Sequence, residues 1–130
     1  MFVRVLIGLL TSAGLAMPVY AGAPQDQLAD LTAQAGRSPK VAQGREFFNV
    51  KHGREWSCAS CHNALPTAEG THANTGKTIS ALAPAFNPRR FTDPAKSEKW
   101  FRRNCNDVLA RECTAAEKAD VLAWLISLKP

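Results

Sequence analysis

Trp56-Ser57-Cys58-Ala59-Ser60-Cys61-His62 decides how this chain is read, because two thiols three residues apart followed at once by an imidazole have few uses. Cys-x-x-Cys alone serves as a redox disulfide, but that role belongs in a strand-helix-strand context, and no such context surrounds it here. Zinc needs two further ligands at paired spacing, whereas the other two cysteines, Cys105 and Cys113, are eight positions apart. The added His points to a c-type haem: Cys58 and Cys61 reach the two vinyl groups of one porphyrin, and His62 falls beneath the iron as proximal ligand. Such an imidazole binds as a neutral donor, so its second ring nitrogen is expected to donate to a backbone carbonyl.

Working outward, the chain opens with Arg4 and an apolar or small run from Val5 to Leu15, broken by Thr11 and Ser12. This is the layout of a secretory signal peptide, with small residues at Val19 and Ala21 marking cleavage before Gly22. The run is well short of the roughly 20 residues a bilayer core requires, so no stable membrane insertion is expected after cleavage. Residues 1–21 are thus expected to be a leader and residues 22–130 one cytochrome c domain, periplasmic. The formal net charge of +5 loses only Arg4 on processing. A mildly basic surface suits acidic protein partners; scattered Lys and Arg on an exported chain do not point to nucleic acid.

The spacing predicts an all-α domain. Leu28, Leu31 and Ala35 recur at helical intervals over residues 25–35, which end at Gly36. A second helix is expected over residues 39–50, with Val41, Gly44, Phe47 and Phe48 on its inner side. Thr92-Asp93-Pro94 supplies a cap and a first-turn proline for a helix reaching about Cys105, with Trp100, Phe101, Asn104, Cys105 and Val108 on one side. Thr114 and Glu117 form a capping box for the last helix, whose expected buried stripe is Val121, Leu122, Trp124, Leu125 and Leu128. Residues 63–88, rich in Ala, Pro, Thr, Asn and Gly, read as a loop wrapped on something, and no strand is expected anywhere.

An exported chain meets an oxidising compartment, so Cys105 and Cys113 are expected to pair. Closing so short a loop stabilises by roughly 2.5 kcal/mol in the chain-entropy model. Two free thiols or a redox switch are the alternatives.

The other side of the iron is a matter of elimination. The chain has two methionines, Met1 and Met17, both within the expected leader, so the thioether ligand usual in electron-carrying cytochromes c is excluded once that leader is gone. His52, His72, a lysine, an amide or no protein ligand remain. His52 lies six residues before Cys58, on the proximal side, and His72 sits in the loop.

From Thr75-Gly76-Lys77 through Leu82-Ala83-Pro84, Arg90-Phe91-Thr92-Asp93, Glu98-Lys99-Trp100, Arg103-Asn104-Cys105-Asn106, Cys113-Thr114 and Glu117-Lys118-Ala119-Asp120 to Leu122-Ala123-Trp124-Leu125, the chain resembles the sphaeroides haem protein family. The likeness continues upstream through Gly44-Arg45, Phe48 and Cys58 to His62; Lys51–Glu55 and Asn63–Asn74 share less of it. The resemblance implies a class I cytochrome c fold wrapped around one covalent haem c, with Asn104 as a distal iron ligand that is labile on reduction. It further implies high-spin iron, binding of oxygen or nitric oxide once reduced, a dihaem cytochrome c as electron donor, and a disulfide between Cys105 and Cys113. On position alone Asn104 would read as a helix-end or surface residue, and Asn106 is its rival.

An amide oxygen is a hard, weak-field donor that prefers ferric iron, so an Asn104 ligand would loosen on reduction and admit oxygen, nitric oxide or carbon monoxide. A plain electron carrier with a permanently six-coordinate haem is the alternative, and a haem oxidoreductase consuming oxygen or nitric oxide is a third reading. No catalytic acid–base constellation appears beside the haem motif. Gly44, Phe48 and Trp124 are expected where the first major helix crosses the last. Lys77, Arg89 and Arg90 are candidates to neutralise haem propionates.

Overall fold

The computed structural model describes residues 23–130. The expected leader, residues 1–21, lies outside them. Among the described residues no helix is long and apolar enough to cross a membrane.

Five helices carry the fold: α1 (Pro24–Ala35), α2 (Val41–Asn49), α3 (Ala59–His62), α4 (Pro94–Leu109) and α5 (Ala115–Ser127). Each major terminus follows from a local cause. Pro24 occupies the first turn of α1, and Gly36, at φ 65°, ends it in the left-handed conformation that glycine adopts without steric cost. Asp93 caps α4 by accepting from the Lys96 amide at 3.1 Å, with Pro94 at the first helical position. At α5 the Glu117 amide donates to Thr114 Oγ1 at 3.2 Å, while the Thr114 amide donates to Glu117 Oε2 at 2.8 Å.

The core lies where α5 meets α1 and α2. A Cβ at Gly44 would overlap the main-chain carbonyl of Asp120, so only glycine lets α2 and α5 approach this closely. Around that point Phe48 and Trp124 meet with ring centroids 5.0 Å apart, joined by Val121 and Leu125. The crossing is as expected. Burial in α5 is wider than one stripe and runs unbroken from Lys118 to Leu125, with Leu128 only half-buried.

Two charged residues within that buried run are satisfied. Lys118 Nζ donates to both carboxylate oxygens of Glu98, at 2.7 and 2.8 Å, tying α5 to α4. Asp120 accepts from Arg37 through both its oxygens and from the Lys40 amide at 2.7 Å, pinning the α1–α2 connection onto α5.

Several expectations are corrected. Val41 is 44 % exposed, since the inner face of α2 begins only at Gly44. Helix α4 runs through Cys105 to Leu109, because nothing between them breaks a helix, and stops where Ala110 turns left-handed at φ 58°. Trp100 is 43 % exposed, lying at the edge of the face formed by Phe101, Asn104, Cys105 and Val108. The loop over residues 63–88 does contain a ladder: β1 (Gly70–Thr71) pairs antiparallel with β2 (Thr78–Ile79), Gly70 opposite Ile79. Two residues per strand are too few to leave an alternating pattern in sequence.

Candidate functional site

The Cys58–His62 segment is one helical turn, closed by the Cys61 and His62 amides donating to the Cys58 carbonyl at 3.3 and 3.1 Å. Ser60 Oγ accepts from the amide of the buried Ser57 at 2.9 Å and fixes the entry into that turn. Cys58 and Ala59 pack against the Phe48–Trp124 cluster, and the His62 ring lies 6.2 Å from Phe48. The next loop folds back over the turn. A Cβ at Gly70 would overlap the Cys61 carbonyl, and the Ala73 amide donates to Cys61 Sγ at 3.3 Å. Residues 63–88 are therefore wrapped on this motif, as their composition implies.

The chemistry of the donor set discriminates among its uses. Cys58 and Cys61 are both free thiols. Burial pushes the Cys58 thiol up to about 11, the opposite of the depressed value that makes a reactive redox cysteine. Among the described residues no group of three or more His, Cys, Asp or Glu side chains is placed to hold a metal ion. Burial, then the positive charge of Arg90, then His72, push His62 down to about 4, so at neutral pH its imidazole is an uncharged nitrogen donor. Two thiols and a neutral imidazole on one turn fit a haem, which Cys58 and Cys61 would hold through two thioethers and His62 through a ring nitrogen. The expected carbonyl acceptor for His62 is not found: its ring makes no hydrogen bond among the described residues.

The other two histidines each make a contact through one ring nitrogen. His52 Nε2 is 2.8 Å from the Phe47 carbonyl, and the two rings meet tilted with centroids 4.4 Å apart. His72 Nδ1 accepts from the Thr75 amide within the β1–β2 turn, near enough to His62 to act on its charge.

Asn104 and Asn106 are separated by the structure. Asn104 is half-buried on the inner face of α4, whereas Asn106 is exposed on the outer face, beside a shallow groove lined by Lys99, Arg102 and Arg103. Cys105 is disulfide-bonded to Cys113 with Cα atoms 5.6 Å apart, so the residue after Asn104 is fastened to the start of α5. The turn so clamped carries a second tie, the bidentate pair of Arg111 with Glu117 at 2.7 and 2.9 Å.

Of the three propionate candidates, Lys77 and Arg89 are exposed and Arg90 is half-buried. Arg90 donates to the carbonyls of Ser80 and Ala81 at 2.7 and 3.0 Å, and no carboxylate partners it among the described residues. Sequence reasoning did not single out Gln27, which is buried in α1 and donates to the Phe91 carbonyl at 2.6 Å across 64 positions. A polar residue next to the apolar stripe of a short helix carries no signal of such a partner.

A family model described as a domain of unknown function (DUF1924) matches residues 34–125. Cytochrome c-type protein SHP of Cereibacter sphaeroides is 46 % identical over 123 residues, covering 90 % of this chain and 95 % of that one. The solved structure of oxidised SHP, an oxygen-binding cytochrome c, superposes with a TM-score of 0.75 at 43 % identity, over 81 % of this chain and 96 % of its own. A solution structure of cytochrome c'' from Methylophilus methylotrophus, concerned with haem-ligand detachment, gives 0.71 at 36 % identity, over 82 % and 94 %.

Proposed function

The chain belongs to the sphaeroides haem protein family of class I c-type cytochromes, and from that premise we propose that it is a periplasmic electron carrier whose oxidation state governs access of a diatomic ligand. Its one covalent haem c supplies the iron that accepts an electron and binds the small ligand. Cys58 and Cys61 would hold that haem through two thioethers and His62 would give it a neutral imidazole nitrogen. Asn104 would supply an amide oxygen, a donor matched to ferric iron, whose hold would weaken on reduction so that the side chain could withdraw. The disulfide at Cys105 keeps α4 anchored during that movement. Arg90, a half-buried cation bonded only to neutral carbonyls, suits a propionate.

The observation that carries this reading is one turn bearing two thiols and a neutral imidazole, in a chain whose two methionines precede Pro18; the half-buried amide on α4 is the distal donor assigned to it. The relatives add weight: SHP is an oxygen-binding cytochrome. Oxygen, nitric oxide and carbon monoxide are the ligands this iron would take. We assign residues 1–21 to a cleaved leader and residues 22–130 to the cytochrome domain. An electron-donor cytochrome, such as a dihaem cytochrome c, would be met by the basic surface.

Optical and electron paramagnetic resonance spectra of the oxidised and reduced protein, with carbon monoxide added to the reduced form, test it beside an Asn104→Ala variant. High-spin iron that binds carbon monoxide on reduction, with an oxidised spectrum altered by the variant, is the expected result. A low-spin spectrum in both states, indifferent to the variant, would mean a closed site and a plain electron carrier.

A further inference from the structure

Phe91 holds a backbone φ of 57°, in the left-handed region that a bulky side chain occupies only when its surroundings impose it. Two sets of contacts impose it here. Its carbonyl accepts from Gln27 Nε2 at 2.6 Å, and Gln27 is 6 % exposed, so this bond is shielded from water. Its ring packs on the Phe48–Trp124 cluster and lies 6.2 Å from the ring of Phe101.

The location of this bend gives it leverage. Phe91 stands two residues before Asp93, the cap that launches α4. Phe101 stands three residues before Asn104, so both project from one face of that helix. The Gln27 bond therefore acts on α4 at its origin and at the aromatic contact one turn from Asn104.

We propose that Gln27 is a positioning residue for the distal side: through Phe91 and Phe101 it sets the placement of α4 and limits how far the Asn104 side chain withdraws. This rests on Asn104 being the distal ligand. Helix α1 thereby takes part in setting ligand access.

The test uses the haem-loaded full chain with Gln27→Met, which nearly preserves volume and cannot donate a hydrogen bond. Carbon monoxide association with the reduced protein is expected to quicken on the order of five-fold, with a broadened ferric resonance signal. In an Asn104→Ala background the same substitution is expected to do nothing further. A Gln27→Met protein that melts earlier but keeps wild-type association and ferric spectrum would reduce Gln27 to a structural residue and overturn the proposal. So would an undiminished effect in the Asn104→Ala background. If Asn104→Ala is itself silent, the ligand assignment fails first, a result separable from the others. Should Gln27→Met not load haem, Phe91→Gly, which accepts the same backbone angle without the ring, takes its place with the same two expectations.

Discussion

The two faces of the site are built in opposite ways. On the thiol side, Cys58, Cys61 and His62 lie on one turn closed by bonds within Ser57–His62, with the Ala73 amide on Cys61 Sγ as a tie from the following loop. On the amide side, Asn104 stands on a helix tied at several points to other parts of the chain: nearby to Cys113 through Cys105, and further off to Lys118 through Glu98 and to Gln27 through Phe91, just before its cap. Under the reading proposed above, the first arrangement would suit permanent attachment and the second a ligand that lets go on reduction.

Substitutions that break one side alone put this contrast under the greatest load. Replacing both Cys58 and Cys61 with Ala is expected to abolish covalent haem, so that a haem stain on a denaturing gel disappears. Retention of the stain would refute the attachment assignment.

A change at the shared foundation should damage both sides together. Gly44→Val drives a side chain into the Asp120 carbonyl and is expected to cost about 3 kcal/mol in denaturant unfolding. A near-neutral result would mean that α2 and α5 separate more easily than their packing implies.

Replacing Cys105 and Cys113 with Ser should lower stability by about 2.5 kcal/mol and alter the ferric spectrum, leaving the haem attached. Equal disturbance of the thiol side would erase the contrast drawn above.

The smallest expected effect lies outside both faces. Burial opposes the charge on Asp120, but its bonds from Arg37 and the Lys40 amide outweigh that and hold its carboxyl below the ordinary range. Its stabilisation is thus present above the unfolded value near pH 4 and lost as pH falls through the depressed folded value. Because Arg37 is 35 % exposed, solvent screens the pair, and Asp120→Asn is expected to cost only about 1 kcal/mol at neutral pH. That gap should close on acidification; a gap unchanged down to pH 2 would contradict the ionic origin.

What the sequence disclosed follows the same division. The Cys58–His62 motif is legible as adjacent residues, and the caps at Asp93 and Thr114 and the Gly44 crossing, each encoded in adjacent residues or in a size requirement, are found in their expected places. The extent of α4 was hidden because its end depends on Ala110 adopting a left-handed turn next to the disulfide. Gln27, the Phe91 bend and the burial of Lys118 and Asp120 were hidden because each is defined by a partner distant in the chain. Asn104 stands between these cases: family likeness singled it out, and periodicity put it on the right face of α4, though near an end that lies five residues further on.

Both cysteine pairs span short stretches, Cys58 to Cys61 within one turn and Cys105 to Cys113 across eight positions. Neither cross-link needs the ends of the chain to have met. Each stretch is therefore complete in sequence before Trp124, which the Phe48–Trp124 contact between α2 and α5 requires.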